Sequence, residues 1–223
     1  MIRHHAREED YEPLTYWVRT PVYTTTILVA CHEIAFILSA LIAGFGSPCI
    51  LQALKFHSAS VLENLQLWRL VTYGLVKSDV LHIWGGLWFI FEMYLLYQFG
   101  REVERFIGRK AFLSLYSAAW LVVPVALLLL SPLTGPVWYE ADSWPVHFAV
   151  FFAFATIYPN SLVFLNIPAK WWVGILLFLV ALMGVAGHDW ATMAAYGAAS
   201  SLAYFVLRRH GVGSIGSVRQ WWQ

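Results

Sequence analysis

Two carboxylates stand where carboxylates are least expected. Glu33 follows His32 near the middle of an apolar run from about Tyr23 to Phe45, and Glu92 lies well inside a second run from Val80 to Phe99. A charge at mid-depth in hydrocarbon is expensive unless it is paired, so each should face other helices rather than lipid. Each marks either a proton or ligand site or a structural hydrogen-bonded pair. Glu92 shares a helical face with Trp88 and Leu96. Glu33 is expected at a similar depth, so the two could share a proton, or a histidine such as His32. In that setting the neutral acid, a hydrogen-bond donor, is the expected form of Glu92. Such a pair would suit a conductor of protons or small solutes.

Other reactive groups offer less. Cys31 and Cys49 make neither a metal spacing nor a disulfide framework and read as small apolar fillers. His4 and His5 read as solvated tail residues. No metal and no cofactor is expected.

The elements that must carry these residues are spans. The chain is 60% apolar and only 12% charged over 223 residues, which excludes an ordinary soluble domain. An α-helix needs about 20 apolar residues to cross hydrocarbon. Six segments come near that pattern: Tyr23–Phe45, Val80–Phe99, Ala111–Leu130 with Pro124 as a tolerated kink, Pro145–Tyr158, Ala169–Val185 and Asp189–Leu207. The fourth is too short to cross alone and must be sheltered by its neighbours. Between the first two, Ile50–Tyr73 alternates apolar and polar residues, as a segment lying in the interface does. In the last, Ala191, Ala195 and Ala199 recur every fourth residue, a small-residue face that lets backbones approach, against span four or span two. The expected fold is an all-α polytopic membrane bundle of six spans (21–209) between short tails (1–20 and 210–223).

Cations set the expected orientation. Arg101, Arg105, Arg109 and Lys110 crowd one turn after span two, and Arg208 and Arg209 close span six. The opposite side holds only Lys55, Arg69 and Lys77, all in the first loop. Both termini are therefore expected in the cytoplasm, in a bacterial cytoplasmic membrane. The Pro132–Trp144 loop would lie outside.

The stretch from Trp68 to Tyr116 resembles the rhomboid family of intramembrane serine proteases and their relatives. Trp68-Arg69 stands where the family has a Trp-Arg pair. Gly100, Glu104 and Gly108 reproduce its G-x-x-x-E-x-x-x-G, followed by Phe112-Leu113 and Tyr116. The resemblance implies a six-helix fold, with these residues as scaffold and Glu104 as the carboxylate that Arg69 needs. It also implies a Ser at the head of span four, a His on span six, and a His and an Asn four residues apart on span two as oxyanion donors.

Carried over by register, none of the four functional positions keeps its residue. The oxyanion pair falls on Trp88 and Glu92, the nucleophile on Trp144 and the base on Met193. An ionised Glu92 would repel an oxyanion. A displaced dyad of Ser143 and His188 is the alternative, with His147 and His82 as further candidates. Equally, Ser143 could cap span four, and His188-Asp189 span six. The reading that follows is a rhomboid-like pseudoprotease whose partners are the lipid bilayer and client transmembrane helices, with no nucleic acid. An active serine endopeptidase and a proton or solute conductor remain as alternatives.

Overall fold

A computed structural model describes residues 13–17, 20–46, 48–77, 82–134 and 142–212. Most of both expected tails, including His4 and His5, the start of span two and most of the Pro132–Trp144 loop lie outside the described residues. The first elements are two short antiparallel strands, β1 (Thr15–Trp17) and β2 (Thr20–Val22), pairing Tyr16 with Pro21. They occupy part of what the sequence reads as a tail. The β-forming Thr, Tyr, Trp and Val explain the pairing, and a two-stranded ribbon tolerates Pro21.

Helices account for the rest. They are α1 (Thr24–Phe45), α2 (Pro48–Leu54), α3 (Ser58–Asn64), α4 (Arg69–Thr72), α5 (Ile83–Ile107), α6 (Arg109–Thr134), α7 (Trp144–Ile157), α8 (Ala169–Gly187) and α9 (Trp190–Arg209). Single 3-10 turns follow α4 at Tyr73–Leu75 and precede α8 at Phe164–Asn166. By length and composition, Thr24–Phe45, Arg109–Ser131 and Ala169–Gly187 can each cross a membrane. With α5, α7 and α9 they form the six-helix bundle of an all-α polytopic membrane protein.

The centre is α7. It has 14 residues, about 21 Å of helix, which is short of the roughly 30 Å of a bilayer core. It packs against α5, α6, α8 and α9, and Val146, Ala149, Val150 and Ala153 are almost wholly buried. The shelter expected for a short span is therefore present. The alanine face of α9, Ala191, Ala195, Ala199 and Ala203, is also buried. Its main neighbours are α7 and α6, and the second of these is not one the sequence suggests.

One expectation about the connections needs correction. The cationic stretch from Arg101 to Lys110 is not a turn, because α5 runs unbroken to Ile107 and α6 begins at Arg109. The break is the single residue Gly108, whose φ of 85° lies in the region that suits glycine. The amphipathic segment after α1 is built as α2, α3 and α4. Its apolar side does turn inward, with Phe56, Val61 and Tyr73 in the core.

Candidate functional site

Two polar constructions organise the bundle, one near the C-terminal end of α5 and one near its middle. The first surrounds Glu104. Its carboxylate accepts hydrogen bonds from Thr24 N (3.0 Å), Thr25 N (2.9 Å) and Thr25 Oγ1 (2.6 Å). Those amides open α1, where a helix leaves donors unsatisfied and its dipole favours an anion. Gly100, one turn back, lets α1 come this close, since a Cβ there would stand 2.8 Å from the Thr25 methyl. In the G-x-x-x-E-x-x-x-G run, Gly100 thus permits close approach, Glu104 caps α1 and Gly108 breaks the helix.

Glu104 does not pair with Arg69. The Arg69 guanidinium donates to Gln52 O (2.7 Å), Lys55 O (2.6 Å) and Gln66 Oε1 (2.5 Å). Trp68 Nε1 reaches Ala53 O at 3.1 Å and Thr72 Oγ1 reaches Leu54 O at 2.7 Å. Together these side chains occupy four successive carbonyls at the end of α2. That is the C-terminal counterpart of what Glu104 does for α1. The guanidinium meets carbonyls where a carboxylate is expected.

The second construction lies near the middle of α5, around Glu92, which is 1% exposed. Lys77 Nζ donates to both carboxylate oxygens (3.1 and 2.8 Å) and to Ser143 Oγ (2.8 Å). Ser143 Oγ donates to Glu92 Oε1 at 2.9 Å. His147 Nδ1 lies 2.6 Å from the same oxygen. His147 Nε2 is 3.0 Å from the Tyr116 hydroxyl, which is 2.7 Å from His32 Nε2. Because an ionised carboxylate only accepts, His147 donates through Nδ1. The Tyr116 hydroxyl links the other His147 nitrogen to His32, so that one hydrogen-bonded row runs from α1 through α6 to Glu92.

Local structure delivers each member. Lys77 follows the turn at Tyr73–Leu75, which is fastened to α6 by Tyr73 OH on Trp120 O (2.8 Å) and Trp120 Nε1 on Val71 O (2.9 Å). Burial pushes the Tyr73 phenol up from its ordinary value, so it stays a donor. Gly74 lies flat against the Trp120 ring, where a Cβ would come within 2.6 Å of a ring carbon. Ser143 immediately precedes α7, buried, with its hydroxyl turned toward Glu92. His147 sits one turn further along.

The sequence candidates fall as follows. Ser143 is inside the cluster but does not cap α7. Asp142 takes that role, accepting from Trp144 N at 2.8 Å. His188 ends α8 in a left-handed conformation and is exposed, while the hydroxyl of Ser143 is bonded to Glu92 and Lys77, so the two do not form a dyad. Asp189 caps α9 through Thr192 N at 3.0 Å. Met193 packs on Gly184 of α8. Trp88 and Trp144 meet edge to face, 6.2 Å between centroids. Both line a cavity of about 930 Å³ with Lys77, Glu92, Trp84 and Tyr196.

Glu92 is an acceptor beside an ammonium, not the neutral donor expected, and its histidine is His147 rather than His32. Glu33 is exposed on α1 instead of facing the bundle. Sequence reasoning misses Lys77 and Tyr116. A signal for Lys77 is present: of the three outer cations it alone abuts span two. Among the described residues no group of three or more His, Cys, Asp or Glu is placed to hold a metal.

An all-α integral membrane protein, with a serine at the head of a short buried helix beside a cavity walled mainly by aromatic residues, is the class that fold and site define. Residues 64–209 match the Rhomboid domain family model, well over half of the chain. The chain belongs to the rhomboid family. No curated protein matches it.

Proposed function

We propose that this rhomboid-family chain is a pseudoprotease that holds transmembrane helices of client membrane proteins without cutting them. One observation carries the reading. Ser143 Oγ gives its proton to a carboxylate that Lys77 and His147 also hold, at 2.8 and 2.6 Å. A carboxylate clamped between an ammonium and an imidazole is a poor base. Lys77, as an ammonium, has no lone pair to accept a proton. A carboxylate beside the serine also opposes an oxyanion there. The aromatic walls of the cavity, Trp84, Trp88 and Trp144, suit contact with apolar helices. The cation asymmetry supports both termini in the cytoplasm, and a bacterial cytoplasmic membrane is part of the same reading.

A second reading, an active serine endopeptidase, draws on the short Ser143–Glu92 and Ser143–Lys77 contacts. Co-reconstitution with single-span proteins in vesicles separates the two. The pseudoprotease retains them intact, whereas an endopeptidase releases fragments, and Ser143→Ala abolishes the cleavage. The row from His32 to Glu92 favours a third reading, proton conduction, which acidification of the same vesicles under an applied potential would reveal.

A further inference from the structure

Glu33 is the mid-membrane carboxylate that the cluster leaves out. Its neighbour His32 turns inward to Tyr116, so Glu33, about 100° further round α1, turns outward. Among the described residues it has no hydrogen bond and no ion pair. It lines a groove of about 690 Å³ between the outer faces of α1 and α5. The helices touch at two levels, Thr25 against Gly100 and Phe36 stacked on Phe89 at 4.2 Å. Ala30 and Gly86 border the groove, and a Cβ on Gly86 would meet nothing within 4 Å. Around it Ile34, Ile37, Ile90 and Tyr94 are exposed to the apolar surroundings.

A groove with open, small-residue edges admits another helix closely. A lone carboxylate on its floor selects which helix. We propose that this groove docks a transmembrane helix carrying a lysine or arginine near its middle, with that cation seated on Glu33. Glu33 lies nine residues from the Glu104-capped end of α1, about 14 Å along the axis. The complementary cation is therefore required nine to ten residues from the same end of its own span. Lipid supplies no such point charge at that depth, so charge complementarity favours a helix over acyl chains. Each partner alone carries an ionisable group in hydrocarbon, and pairing relieves both. This inference rests on the reading that the chain holds client helices, and it adds a face and a chemical requirement.

The test uses the dye-labelled full chain in phosphatidylcholine vesicles, with labelled single-span Leu/Ala peptides that differ at one central position: Lys, Leu or Glu. Energy transfer should show the Lys peptide held roughly tenfold more tightly than the Leu peptide. Glu33→Gln should reduce that preference to threefold or less, and Glu33→Lys should transfer it to the Glu peptide. Gly86→Leu, which fills open space, should weaken capture of the Lys peptide. Equal, saturable binding of the Lys and Leu peptides would overturn the inference while leaving helix binding intact. Absence of transfer with every peptide would overturn helix binding itself, and this inference with it. Transfer between two labelled copies that Gly86→Leu abolishes, without peptide preference, would assign the groove to a second copy and also overturn it.

Discussion

Glu92 and Glu104 lie on the same helix, twelve residues apart, about 18 Å along its axis. Both are buried and both are fully engaged, yet by different partners. Glu104 accepts backbone amides from the start of α1, so its charge answers a need that the fold itself creates. Glu92 accepts from side chains only: an ammonium from the loop after α4, and a hydroxyl and an imidazole one turn apart at the head of α7. The first arrangement follows from helix geometry and matches the family pattern. The second replaces the oxyanion donor that the resemblance implies with an anion, and then neutralises that anion from the loop after α4. A buried carboxylate thus caps a neighbouring helix near the end of α5 and gathers a side-chain cluster near its middle.

The largest effect should come from breaking the second arrangement. Lys77→Met leaves Glu92 buried without its ammonium and should cost about 3–5 kcal/mol, read as reversible unfolding in mixed detergent followed by circular dichroism. Glu92→Gln strands Lys77 and should cost a similar amount. The double variant should lose clearly less than the sum. Additive losses would show that the two groups are not coupled.

Next comes the first arrangement. Glu104→Ala removes the acceptor for three donors and should cost about 2–3 kcal/mol, whereas Glu104→Gln keeps one oxygen and should cost about half as much. Equal losses would mean that packing, not capping, is what Glu104 supplies.

The smallest effect belongs to the α2 terminus. Arg69→Lys replaces a fork that reaches two carbonyls with a point charge and should cost about 1–2 kcal/mol. Combined with Glu104→Ala, its loss should add within about 0.5 kcal/mol, because the two residues share no partner. Coupling well above that would restore the ion pair between them.

Much of the fold is legible in the sequence because hydrophobic length and charge interruption act locally. The six spans, the shelter of α7 and the alanine face of α9 follow from residues close in sequence. Partner choice is less legible. Arg69 calls for a carboxylate by its chemistry, and only the packing of α4 on the end of α2 turns it to carbonyls. Glu33 and Glu92 look equivalent in the sequence, but one helical step decides that His32 faces inward and Glu33 outward. Ser143 stands one residue off the family register, and its true neighbours, Lys77 and Glu92, lie 66 and 51 residues away along the chain. Contacts across such separations leave no periodic trace.

Covalent labelling of Ser143 tests the central claim most directly. The purified full chain in lipid, exposed to a fluorophosphonate probe and read by intact mass, should remain unmodified in the wild type, as in Ser143→Ala. Stoichiometric modification of the wild type that disappears in Ser143→Ala would contradict the account and make Ser143 a working nucleophile.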